Sequence, residues 1–332
     1  MRDKKIEREE KEIIKEIQKA FEEEKEPRVK FFDSISKLKV EMIGYSHPNP
    51  YKIMLEVATC TFGDYDNITK WDKLSPKARF RLVKGVLDKR ALPLALEHIK
   101  FNFIISGISR CAFDEIVRAR IGVSYGSKGW KGNFLNNIGF NIPSPLLREK
   151  YKKLKEKVEK HIRSMNKLYT EMQKAGVPHW ACRFVMPMGC TYRFMMSLDY
   201  LALQQFCARR MNQTEQEDVV ATAWLMRERV KEKFPLLANY LRPGEDWMNR
   251  DSTIMANSYA DERGWVEHRP GVRHPVNLKE FKKKYKILHD EPCTHTEILE
   301  KYLKIKIPRP NEWKNYTWET LDKKDKKLFE ED

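Results

Sequence analysis

Arginines in apolar company are the residues best placed to do chemistry in this chain. Arg118-Ala119-Arg120 closes a helical pattern and leads into Gly122-Val123-Ser124-Tyr125-Gly126-Ser127-Lys128-Gly129. Bare backbone amides beside fixed guanidinium groups suit a phosphate or the polar edge of a flavin. Arg183 stands in the apolar run Cys182–Met188, where a charge requires a partner or a ligand. Arg209-Arg210 ends a helical pattern that begins at Ser197. An arginine at a helix end can also do no more than satisfy the helix dipole, so both readings stand at this level. His179-Trp180-Ala181-Cys182 and Cys293-Thr294-His295 are the close His/Cys pairs, and neither comes with the further ligands of a zinc site. No metal is expected. No Walker A, GxGxxG, HExxH or GxSxG sequence occurs.

The elements that must position these arginines are legible as apolar periods. Residues 3–26 are charged, with Ile6, Ile13, Ile14, Ile17 and Phe21 at helical spacing, and Pro27 ends the pattern. Leu38–Tyr45 and Met54–Phe62 are rich in β-branched and aromatic residues and predict strands across Ser46-His47-Pro48-Asn49-Pro50. Pro76–Leu87 and Ala91–His98 predict short helices, and the alternation of Ile99, Phe101, Phe103 and Ile105 predicts a strand over His98–Ser106. Ser109–Ile121 predicts a helix, Gly122–Gly132 a loop, and Leu146–Ala175 a long helix stopped by Gly176-Val177-Pro178. His179–Met186, Ser197–Arg210 and Gln213–Phe234 predict three more helices. The order is that of an α+β fold with a helix bundle and a small sheet. Three parts follow: a charged amphipathic helix over 1–30, a catalytic domain over 31–240, and a C-terminal extension over 241–332.

The 332 residues carry a formal charge of +16, and 41% are hydrophobic, which is enough for a buried core and excludes disorder throughout. Residues 31–240 hold 35 basic and 20 acidic side chains, so nearly all the excess sits where the patterning is best, and not in a tail. That favours a folded, positively lined site for anions over a basic arm, and nucleic acid is not expected as a partner. No apolar run approaches the roughly 20 residues of a membrane span, the N-terminal stretch lacks an apolar core, and six scattered cysteines form no CxxC pair. A reduced, cytoplasmic protein without membrane contact is expected.

Two blocks carry a resemblance. Glu97-His98-Ile99-x-Phe101-x-Phe103 followed by Val117-Arg118-Ala119-Arg120-Ile121 resembles the flavin-dependent thymidylate synthases, whose signature there is Arg-His-Arg followed at a distance by Ser. Gly176-Val177-Pro178, Arg183-Phe184-Val185-Met186-Pro187-Met188, Tyr192-Arg193-Phe194, Leu203-x-x-Phe206-x-x-x-Arg210 and Gln216 are similar, in register, to the family's second characteristic region. The similarity covers about residues 35–240. It implies an α+β homotetramer with sites built from more than one subunit. It also implies FAD, with NADPH and methylenetetrahydrofolate as co-substrates, and methylation of a pyrimidine nucleoside monophosphate, dUMP by default, at C5.

The resemblance implies the site residue by residue. Arg183 and Arg210 fall at the nucleotide-binding arginines, and Arg210 matches the one that contacts the pyrimidine and acts in catalysis. Glu115, Arg118, Ser127, Lys128 and Gly129 complete the substrate set, Glu115 standing where the family has Gln. His98, Arg118, Ala119, Arg120, Asp199 and Gln205 fall in the cofactor set. There Ala119 replaces His, Asp199-Tyr200-Leu201 replaces Asn-x-Arg, and Gln205 replaces a second Asn. These departures imply a divergent member, with UMP or dCMP as other possible substrates and methylation or hydroxymethylation as the reaction. Glu115 is expected to pair with Arg118, and Asp199 with a nearby Arg, unless one of them reads a cytosine amino group. A protein that keeps the fold, loses the flavin and only binds nucleotide or nucleic acid is the alternative.

Overall fold

Phe101, Phe103 and Ile105 are buried while Asn102, Ile104 and Ser106 between them are partly exposed, and this period of two makes the central strand of the molecule. The computed structural model describes residues 28–62, 71–88, 92–127, 129–130, 135–211, 215–243, 265–269, 272–275, 295–308 and 313–331. The helix expected over 3–26 and the candidate Lys128 lie outside the described residues.

In chain order the elements are β1 (Arg28–Asp33), β2 (Lys39–Tyr45), α1 (Pro50–Phe62), α2 (Pro76–Leu87), β3 (Lys100–Ser109), α3 (Arg110–Ile116), β4 (Val123–Ser127) and β5 (Asn137–Ile142). There follow α4 (Lys152–Lys174), α5 (His179–Cys182), β6 (Thr191–Asp199), α6 (Tyr200–Arg210), α7 (Glu217–Lys233), α8 (Pro235–Asn239), β7 (Trp265–Arg269), β8 (Val272–Pro275), α9 (His295–Leu303) and α10 (Lys323–Glu330). An antiparallel sheet in the order β2-β3-β6-β4 carries α7 on its apolar face, where Phe101 faces Leu198, Phe103 faces Met196 and Ile105 faces Phe194. A second, parallel pair, β1-β5, packs under the long helix α4 around Ile138, Phe140, Ile162 and Tyr169. The architecture is α+β, as the sequence predicts.

Several local expectations are corrected. Met54–Phe62 is helical because Asn49 caps it: its Oδ1 accepts from the Tyr51 and Lys52 amides, Pro50 opens the first turn, and Tyr51, Met54 and Leu55 bury one helical face. The helical stretch expected over Ala91–His98 is a 3-10 helix over Pro93–His98. The helix expected to reach Ile121 stops at Ile116, where the Tyr125 hydroxyl lies 2.9 Å from the Ile116 carbonyl and 2.8 Å from that of Ala119, taking up orphan acceptors at the helix end. The glycine-rich segment folds back as β4, and Gly122 makes the turn with φ +70°. A side chain at Gly122 would sit 2.2 Å from Asp199 Oδ2, so this corner demands glycine twice over. The helix expected from Ser197 begins at Tyr200, because Thr191–Asp199 alternates Tyr192, Phe194, Met196 and Leu198 inward as strand β6. The expected helix over His179–Met186 is the short α5 followed by a 3-10 turn, and strands β1 and β5 were not anticipated.

From the expected C-terminal extension, residues 313–331 enter the main core. Phe329 is fully buried and stacks on Tyr51 with ring centroids 4.5 Å apart, while Trp71 and Phe80 close around it. The Arg79 guanidinium donates to the Phe329 carbonyl at 2.9 Å, and the Trp71 indole to that of Glu331 at 2.9 Å. Asp325 is buried, hydrogen-bonded to the Tyr51 hydroxyl and, at 2.7 Å, to the Leu236 amide at the start of α8. Among the described residues no helix is long and apolar enough to cross a membrane.

Candidate functional site

Three helix termini converge on Arg210. The end of α3 brings Glu115, the end of α6 brings Arg210 itself, and Glu215 precedes the start of α7. The Arg210 side chain is 8% exposed. Its Nη1 donates to both Glu215 oxygens at 2.9 and 2.8 Å and lies 3.6 Å from Glu115 Oε2, while Nη2 donates to the Glu115 carbonyl at 2.8 Å. Glu115 also pairs with Arg118 at 3.2 Å, the i,i+3 pair expected from sequence. Two acids thus balance two guanidinium groups. The planar fork of Arg210 is held by a carboxylate on one side and a backbone carbonyl on the other, which fixes its orientation more tightly than one ion pair could. Tyr125 on β4 stands beside this cluster. Burial drives its hydroxyl well above the ordinary tyrosine range, against the pull of the Arg210 charge, so it works as a neutral hydrogen-bond donor.

Exposed groups surround this buried pair. The Arg118 side chain is 67% exposed, Arg120 is exposed, and β4 is an edge strand whose Ser124, Gly126 and Ser127 face solvent. Gly129 follows, also exposed. The Arg120 head, and the largely exposed Arg118 that shares Glu115, stand next to a glycine-bearing strand edge and are chemically suited to the diphosphate of a dinucleotide such as FAD. His98 and Gln205 are exposed and available for contact, whereas Ala119 offers no polar side-chain atom.

Asp199 does not fit a cofactor contact. It is buried at the start of α6, where its Oδ1 accepts from the Ala202 amide at 2.7 Å. Its Oδ2 lies 3.6 Å from Lys100 Nζ, and its amide donates to the Gly122 carbonyl at 3.0 Å. The partner is a lysine and a helix N-terminus, where an arginine was expected, and the carboxylate is consumed as an N-cap. Arg183 is brought to none of these residues. It sits on the 3-10 turn after α5, its Nε donating to the Trp180 carbonyl at 3.1 Å beside the exposed rings of Trp180 and Phe184. Among the described residues no three His, Cys, Asp or Glu side chains come together to hold a metal.

The sequence reading missed Glu215 and Tyr125. Glu215 is an acid five residues past Arg210 and two before the start of α7. Tyr125 was hidden by its glycine neighbours, which read as loop. Behind the cluster, Gln216 donates to Asp218 at 2.7 Å and to Ser109 at 3.0 Å, and Ser109 donates to Asp218 at 2.6 Å. This network anchors the start of α7, and burial raises the Asp218 carboxyl despite those donors.

Comparison with known proteins gives the family. The family model described as thymidylate synthase complementing protein matches residues 41–236. The chain is 28% identical over 231 residues to a flavin-dependent thymidylate synthase of Pyrococcus abyssi, covering 68% of this chain and 90% of that one. It is 31% identical over 149 residues to one from Sulfurisphaera tokodaii, where the match spans 45% of this chain and 56% of the relative. Among solved structures, the UMP/dUMP methylase PolB from Streptomyces cacaoi, bound with 5-Br dUMP, superposes with a TM-score of 0.53 at 13% identity, over 64% of this chain and 96% of that one. At that identity the likeness speaks for the fold. With more than half its length matched by the family model, the chain belongs to the thymidylate synthase complementing protein family, the family of the flavin-dependent thymidylate synthases, as a divergent member.

Proposed function

We propose that this protein is a flavin-dependent C5-methylase of a uracil nucleoside monophosphate, dUMP or UMP, with FAD as cofactor and NADPH and methylenetetrahydrofolate as co-substrates. The single observation that carries this reading is Arg210. It is a buried guanidinium with its plane fixed by Glu215 and the Glu115 carbonyl, and the resemblance of the sequence to the family assigns it to the arginine that contacts the pyrimidine.

A guanidinium against the imide edge of uracil stabilises the N3-deprotonated ring, and the extra electron density makes C5 more nucleophilic. Arg210 performs that role, and its two fixed partners keep it from turning away. Arg118 and Arg120 hold anionic groups of the bound molecules, and Arg183 holds the nucleotide phosphate. When bound, the flavin supplies the redox chemistry of the one-carbon transfer. The pairing of Glu115 with Arg118 and the capping role of Asp199 favour uracil over cytosine, because both carboxylates already have a structural partner and are not needed to accept from a cytosine amino group.

A shared site in a homotetramer accords with two features of the single chain. Arg183 makes no contact with the Arg210 cluster among the described residues, and Ile121 and Phe184, next to site residues, are 88% and 78% exposed. The reading is tested by competition among dUMP, UMP, dCMP and CMP for the FAD-loaded protein. Preference for both uracil nucleotides is expected, and equal or better binding of the cytosine pair would overturn the substrate assignment.

A further inference from the structure

Away from the Arg210 cluster, and sharing no residue with it, a groove of about 560 Å³ opens between α2 and residues 315–319. Lys77, Arg81 and Lys84 of α2 line one side, at the i, i+4 and i+7 spacing that aligns them on one helical face. Phe80 and Tyr316, both buried, and the partly buried Trp318 line the rest. The Phe80 and Trp318 rings are 6.0 Å apart, and the Lys326 ammonium lies 5.0 Å above Trp318.

Like charges stacked along one face of a helix repel, and nothing in the local fold offsets all three. Lys84 is paired to Asp88 at 2.7 Å. Lys77 reaches Glu319 at 3.2 Å, but both side chains are about two-thirds exposed or more, so that pair exchanges readily with solvent or another anion. Arg81, between them, makes no ion pair among the described residues. A planar five-donor head flanked by ammonium groups is suited to a phosphate. An apolar aromatic wall beside it is suited to a flat ring, and the volume is that of a small-molecule site. A single-stranded nucleic acid would need a continuous basic track, and here Asp88 and Glu319 bracket the cations at either end.

We infer that this groove is a second ligand site that binds a mononucleotide, its phosphate on Arg81 and Lys77 and its base against Trp318 and Phe80. The two walls come from segments more than two hundred residues apart, so the ligand bridges them and pins the C-terminal segment onto α2. The inference does not rest on the C5-methylase reading.

The test is hydrogen exchange on the full-length protein with AMP, inorganic phosphate and oligo(dT) as probes, AMP being chosen because the Arg210 site is proposed to take pyrimidines. Expected is slowed exchange in residues 76–87 and 313–319 with AMP, and at least about a tenfold weaker effect in Arg81→Ala and in Lys77→Ala, both exposed positions whose loss leaves the fold intact. Arg210→Lys should leave this protection unchanged. No protection by AMP, equal protection by inorganic phosphate, protection by oligo(dT) alone, or full protection in both α2 variants would each overturn the inference.

Discussion

At the scale of single residues, the division of labour between two buried charges is decisive. Arg210 and Asp199 sit at opposite ends of α6, and sequence alone gave both the look of ligand contacts. Arg210 is clamped so that its fork has one orientation, while Asp199 is buried and caps the helix start, with Lys100 beside it. Arg210→Lys keeps the charge and loses the planar fork, so turnover should fall by about 100-fold or more, the scale of one lost transition-state donor. Thermal unfolding of the same variant should show a far smaller change, and near-normal turnover would remove Arg210 from the mechanism. Asp199 should behave in the opposite way. Asp199→Asn still accepts from the Ala202 amide and should fold normally, whereas Asp199→Ala should cost about 1 kcal/mol in denaturant unfolding without weakening flavin binding in the folded protein. These arginines were visible in the sequence because charges inside apolar periods stand out. Their partners were not: Glu215 precedes α7 outside any apolar period, and Tyr125 reaches the cluster on a strand return, which no local period encodes.

At the scale of elements, the long-range pairings separate what was legible from what was not. Pro76–Leu87 matches α2 because Ser75, Pro76 and the apolar spacing all agree, and the Ser75 hydroxyl does accept from the Ala78 amide. Met54–Phe62 failed because β-branched and aromatic composition was weighed above a cap at Asn49. Strand β6 failed because its outward Met195 blurred the alternation, and its partners β3 and β4 are set by tertiary pairing. The helix α10 offers an element-level test. Burial raises the Asp325 carboxyl to about 7, from an ordinary value of 3.8, even though the Tyr51 hydroxyl and the Leu236 amide pull it down. The folded protein therefore holds a proton there that the unfolded chain has already released. Stability from this group is fully present below the ordinary carboxylate range and is lost as pH rises from about 4 through about 7. Asp325→Asn should flatten that part of the stability profile measured by urea unfolding, and an unchanged slope would contradict the assignment. The contribution of residues 313–331 to the core was illegible because Phe329 and Trp318 stand alone among charges, without a period to mark them.

At the scale of the whole molecule, an α+β body presents its sheet on one side only. On the face away from α7, Glu41, Ile104, Met195 and Gly126 form one cross-strand row, and Asn102, Ser197 and Ser124 another. Met195 on that face, and Ile121, Trp180 and Phe184 elsewhere, are large apolar side chains left exposed on the single chain. A tetramer by light scattering is expected, and an active monomer would contradict the shared-site proposal. The concentration of basic charge in residues 31–240 belongs to this scale as well, since it raises the local density of anions around the folded body. C5 chemistry on a uracil nucleotide is read out by release of tritium from C5-tritiated dUMP or UMP by the FAD-loaded protein with NADPH and methylenetetrahydrofolate. FAD-dependent release that disappears in Arg210→Lys is expected; binding of the nucleotide with no release, in a protein that takes up no flavin, would contradict C5 chemistry.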